Sequence, residues 1–75
     1  MKELVEYIAK SLVDDPSEVS VDEVQDRNTT TLELHVAQED MGRVIGRNGR
    51  VANAMRTLLR VVASREGTRI NLEIM

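Results

Sequence analysis

The chain has 75 residues, 41% of them hydrophobic and 31% charged, and its ten basic and thirteen acidic side chains leave a formal net charge of −3. Those figures describe one small globular domain spanning residues 1–75 and exclude a disordered or fibrous chain. Without cysteine there is no disulfide framework or thiolate metal site, and with no apolar run near the roughly 20 residues of a membrane span and no signal-peptide core in MKELVEYIAK the expected compartment is the cytoplasm, with no membrane partner.

Leu4, Val5, Ile8 and Leu12 recur at helical spacing, so residues 3–13 predict an amphipathic helix, stopped by the DDPS at 14–17. From Val19 the period changes to two. Val19, Val21 and, past an Asp-Glu pair, Val24 imply a short and irregular strand, and QDRNTT reads as a tight connection. Leu32, Leu34 and Val36 then alternate with polar residues in a clear second strand, and QEDMGRVI begins a short helix near Glu39. Residues 50–64 form the longest periodic segment, and after a turn at Gly67 the alternation of Ile70, Leu72 and Ile74 closes the chain with a third strand. The order α-β-β-α-α-β, without repeat or linker, predicts an α+β fold: a three-stranded sheet with three helices on one face.

Charge is unevenly spread along this order. Between Asp40 and Glu66 lie six arginines and no acidic residue, so that stretch carries +6 while the rest carries −9. Such a segment concentrates a positive field on one region of an acidic molecule, although arginines on a helix also serve as an ordinary solvated face. Within it, Gly46-Arg47-Asn48-Gly49 joins two helices, the second opening at Arg50. A helix start presents unpaired N–H groups and a partial positive charge, glycines let a phosphate approach the backbone, and Arg47 and Arg50 add charge-assisted contacts. Two glycines taken alone fit a capped helix–loop–helix turn better than a phosphate site. Neither familiar nucleotide loop matches: Gly42 and Gly46 are one residue too close for a P-loop and no Lys-Ser/Thr follows, while the residue two before Gly46 is Val44 where a dinucleotide fingerprint needs glycine.

VIGRNGRVANAMRTLL resembles the core motif of the KH domain, a V-I-G-x-x-G loop followed by an apolar-patterned helix, and the helix and strand ahead of it resemble the type II arrangement. Over its whole length the chain is similar to the small bacterial single-KH RNA-binding proteins of the KhpA (YlqC-like) family. The resemblance implies an RNA-binding protein in which Gly46, Arg47, Asn48 and Gly49 clamp the backbone of about four nucleotides of single-stranded RNA. It implies that Val44, Ile45, Val51 and Ala52 line the apolar groove beside the loop, with Met55 a further candidate that equally suits the core. Arg43 and Arg50 then flank the path as phosphate partners, and Arg56 and Arg60 form a solvated or steering face. Ala52 departs from the family pattern, where a larger aliphatic residue is common. The family further implies a small RNA chaperone or regulator, as a homodimer or as a heterodimer with a second KH-containing protein.

Other chemistry is not legible. Tyr7 is the single aromatic, expected at the edge of the core, so base contacts must be aliphatic or hydrogen-bonded rather than stacked. His35 reads as a plain surface residue, Asp14-Asp15 and Asp22-Glu23 lack a third member, and no nucleophile or metal set stands at useful spacing. The expectation is a non-enzyme with no catalytic or metal residues and no cofactor. On the helix from Arg50 the apolar positions cover an arc of about 200°, wider than the stripe of about 100° that a sheet requires. Val61, Val62 and Ala63 run consecutively, which predicts a dimer interface around Leu58, Val61 and Val62. A dimerisation or docking module with little RNA binding of its own is the alternative from a different class, and a subunit holding a phosphorylated small molecule at the same helix start is a more remote one.

Overall fold

The computed structural model describes residues 1–75. Helix α1 spans Lys2–Leu12, the hairpin strands β1 and β2 span Ser20–Asp26 and Thr29–His35, the short helix α2 spans Met41–Ile45, the long helix α3 spans Arg50–Glu66, and strand β3 spans Arg69–Ile74. Single turns of 3-10 helix at Pro16–Glu18, Gln38–Asp40 and Arg47–Gly49 lie between them. The sheet order is β1-β2-β3, antiparallel between β1 and β2 and parallel between β2 and β3. This is the predicted α-β-β-α-α-β order.

Burial follows from the pleat. Leu32 and Leu34 on the central strand face the helices and are wholly buried, opposite Val21 of β1 and Leu72 of β3, while α1 contributes Val5 and Ala9 and α3 contributes Met55 and Leu59 to the same core. The opposite face of the sheet carries no helix. β1 is more regular than its sequence suggests: it runs straight through Asp22-Glu23, so strict alternation puts Val24 on the open face, where it is half exposed. Tyr7, expected at the core edge, lies on the outward side of α1 and is 72% exposed. Within one helix, the inward positions are set by Val5 and Ala9, and Tyr7 falls across the axis from them.

The ends of the elements are held by named bonds. In the first turn of α1, the backbone N–H of Glu3 holds that residue's carboxyl below the usual range, assisted by the N-terminal ammonium at 3.6 Å. A two-residue turn, with Arg27 at φ 55°, links β1 to β2. α3 runs two residues past its expected end and closes at Gly67, where Thr68 N–H donates to Ala63 O and Gly67 N–H to Ser64 O, a Schellman closure. Asn28 ties the hairpin to that closure by donating to Gly67 O at 3.0 Å and accepting from Arg69 N–H at 2.9 Å. No helix is long and apolar enough to cross a membrane.

Candidate nucleic-acid interface

The loop between α2 and α3 is specified by its backbone. Gly46 has φ 79° and Gly49 φ 76°, both in the region that favours glycine, and Asn48 between them sits at φ 57°. Asparagine is among the few other residues that enter this region readily. Gly46 N–H donates back to Gly42 O at 2.9 Å, ending α2, and Gly49 N–H donates to Gly46 O at 3.1 Å. A Cβ on Gly46 would stand 2.5 Å from Val51 Cγ2 and 2.8 Å from Val51 N, so only glycine lets the loop lie against the first turn of α3. The result is a tight turn that holds Arg47 and Asn48 outward and exposed.

No side chain caps the N-terminus of α3, and no acidic residue occupies its first turn. The partial positive charge of the helix start is therefore left open beside Arg47 and Arg50, both exposed and neither in an ion pair. Backbone shape, helix end and two free guanidinium groups converge here, an arrangement chemically suited to an anion.

Of the expected groove residues, Ile45 is exposed and Val51 half-buried beside the loop, where each offers an apolar surface. Val44 and Ala52 require correction: they are 0% and 3% exposed, and with Met55 they face the core rather than an open groove. For Ala52 and Met55 helical spacing explains this, since the inward stripe of α3 is Ala52, Met55, Leu59 and Ala63, and Val44 is the one buried residue of α2. Arg43 also differs from a free phosphate partner. Its guanidinium bonds Asp14 Oδ2 at 2.9 Å and lies 3.3 Å from Asp40 Oδ1. Asp40, 2% exposed, in turn accepts the backbone N–H groups of Asp14 at 3.1 Å and Asp15 at 3.2 Å. Arg43 thus belongs to a joint between the end of α1 and the start of α2. Arg56, expected on a steering face, donates through Nε and Nη2 to Leu72 O at 3.3 Å and covers an outward carbonyl of the edge strand β3.

Leu58 and Val61 are 43% and 48% exposed and Val62 is half-buried, so the outer apolar edge of α3 is not covered by α1. One cluster escaped sequence reasoning. Pairing of Asp22 with Glu33 and of Ser20 with His35 sets Asp22, Glu33 and His35 together on the open sheet face. Their ligand atoms lie within 4.8 Å of one another, and His35 Nε2 is 3.3 Å from Asp22 Oδ2. They are the residues best disposed to hold a cation, and only the strand register brings them together.

This fold and loop can be set beside known proteins. A family model described as the KH domain of KhpA and KhpB matches residues 2–74. The chain belongs to the KhpA/KhpB KH-domain family. Curated relatives include the RNA-binding protein KhpA of Clostridium acetobutylicum, 54% identical over 74 residues and 99% of each chain. The protein of the same name from Chlamydia trachomatis is 53% identical over 75 residues, covering 100% of this chain and 96% of the relative. Among solved structures, Aquifex aeolicus Era bound to GDP and aluminium fluoride superposes with a TM-score of 0.62 at 18% identity, over 97% of this chain and 28% of that one. Era in complex with a GTP analogue and nucleotides 1506–1542 of 16S ribosomal RNA gives 0.58 at 19% identity, again over 97% and 28%. At these identities the likeness is one of fold.

Proposed function

We propose that this protein binds single-stranded RNA through the sugar–phosphate backbone, with Gly46-Arg47-Asn48-Gly49 as the clamp, and acts as a small RNA chaperone or regulator rather than an enzyme. The observation that carries this reading is the loop itself: two glycines at positive φ hold Arg47 and Asn48 outward at the uncapped, acid-free N-terminus of α3. The printed name of the relatives, RNA-binding protein KhpA, supports the same ligand. Ile45 and the exposed edge of Val51 supply the apolar floor for the bases, and Arg47 and Arg50 supply the charge. With no aromatic beside the loop for stacking, each clamp holds its ligand weakly and with little sequence preference.

Weak single sites favour pairing. The outward edge of α3 at Leu58 and Val61, with Val62 at its margin, suits a second copy of the chain, and two clamps on one dimer raise affinity by avidity. The family model, whose name joins KhpA and KhpB, is also consistent with a second KH protein in that place.

The test is fluorescence anisotropy with a short single-stranded RNA. Arg47→Asp with Asn48→Asp should abolish measurable binding while the melting temperature stays unchanged, because both side chains are exposed. Wild-type affinity in this variant overturns the clamp and leaves the docking-module reading standing.

A further inference from the structure

A second basic site stands at the other end of α3. Its largest pocket, of about 470 Å³, is lined by Arg60, Ala63 and Ser64 of α3 and by Thr68, Arg69, Ile70 and Asn71 at the edge of the sheet. Arg60 of α3 and Arg69 of β3 both line it, together with the polar Ser64, Thr68 and Asn71, and the lining holds no carboxylate. Neither Arg60 nor Arg69 has an ion-pair partner, in a chain of net charge −3. Two unpaired cations lining one pocket with no carboxylate among its residues are an arrangement that an anion stabilises. The helix end does not oppose this strongly, since Ala63 O and Ser64 O already accept from Thr68 and Gly67.

The pocket is also connected to the loop. Asn53, Thr57, Arg60 and Ser64 recur at four- and three-residue steps along α3 and are all exposed, which forms one polar, acid-free stripe. At its start, the Asn53 amide lies near Gly49, 3.7 Å from the place of a Cβ there. From Arg50 to Ser64 the helix rises about 21 Å, the length of roughly six stacked nucleotides.

We infer that the Arg60–Arg69 pocket is a second phosphate site for single-stranded RNA, reached along this stripe by a strand already held at the Gly46–Gly49 clamp. The inference rests on the proposed RNA binding and extends it. A strand too short to leave the loop does not use the pocket, whereas a longer one gains two further phosphate contacts. A single-strand contact contributes a slope near −0.7 in the logarithm of affinity against the logarithm of salt concentration, so the pocket adds about −1.4 for the longer strand alone.

The experiment measures salt dependence by anisotropy for an oligonucleotide of about five nucleotides, which fills the clamp, and one of about sixteen, which also spans the stripe. The variant is Arg60→Ala with Arg69→Ala, both exposed positions, with its fold checked by thermal melting. Expected are a steeper wild-type slope on the long RNA, by about 1.4, and a variant that loses this excess while binding the short RNA as wild type does. Equal wild-type slopes on the two RNAs overturn the inference without any variant. So does a variant that keeps the wild-type slope on the long RNA, since the excess then comes from two clamps of a dimer. If the wild type binds neither RNA, the proposed function fails, and the pocket fails with it.

Discussion

At the scale of single residues, Gly46 and Gly49 share a positive φ but neither ψ nor environment: Gly46 has ψ 168°, Gly49 ψ 14°. An L side chain at Gly49 meets the left-handed helical geometry, worth about 1–2 kcal/mol, and one at Gly46 an extended positive-φ geometry that is essentially glycine's alone, worth about 1–3 kcal/mol. At Gly46 the added Cβ also runs into the backbone and side chain of Val51, whereas at Gly49 its nearest neighbour is 3.7 Å away. Gly46→Ala should therefore lower stability by about 3 kcal/mol and Gly49→Ala by about 1 kcal/mol. Urea unfolding followed by circular dichroism measures both. Equal losses would show that the loop is free to move away from Val51, which would weaken the case for a preformed clamp.

At the scale of elements, the joint between α1 and α2 rests on one buried carboxylate. Asp40 satisfies two backbone N–H groups just past α1 and lies beside Arg43 in the helix that leads to the clamp. Replacing it by Ala leaves those N–H groups without their partner and Arg43 with only Asp14. The expected cost is on the order of 2–4 kcal/mol in urea unfolding. Arg43→Ala should lower stability less and barely change the salt slope of RNA binding, because the Arg43 charge is already neutralised by Asp14 and Asp40. Arg50→Ala should flatten that slope by about 0.7, since Arg50 has no partner within the chain. A large slope change for Arg43→Ala, measured by anisotropy titrations across salt, would return Arg43 to the phosphate path.

At the scale of the whole molecule, α3 carries two apolar stripes. Ala52, Met55, Leu59 and Ala63 lie on the core side, while Ala54, Leu58 and Val61, four and three residues apart, remain exposed. On the proposed reading, self-association along the second stripe would join two copies of an 8.4 kDa chain through a self-complementary surface. Sedimentation equilibrium at micromolar concentration should give twice the chain mass. Leu58→Lys with Val61→Lys should give a folded monomer that binds short RNA normally and long RNA with reduced avidity. A monomeric wild type would show that the exposed edge does not close on itself.

The sequence by itself determined the elements, their order and the position of the Gly46–Gly49 loop, because each depends on residues close together along the chain. Apolar periods of 3.6 and 2 mark helices and strands, Asp-Asp-Pro and Gly67 mark ends, and V-I-G-R-N-G marks the loop. The same local logic reached the wide apolar arc of α3. It could not say which part of that arc, or of the short helix α2, faces the core, so Ala52 and Val44 read as groove residues although packing buries them. Tertiary structure alone decided the pairings across long separations: Arg43 with Asp14, Arg56 with the Leu72 carbonyl, His35 with Asp22, and Arg60 with Arg69 across one pocket. Each joins side chains from two elements or strands, and what brings them within reach is strand register and the seating of helices on the sheet. Those are set by burial summed over the whole core, a quantity that no short stretch of sequence contains.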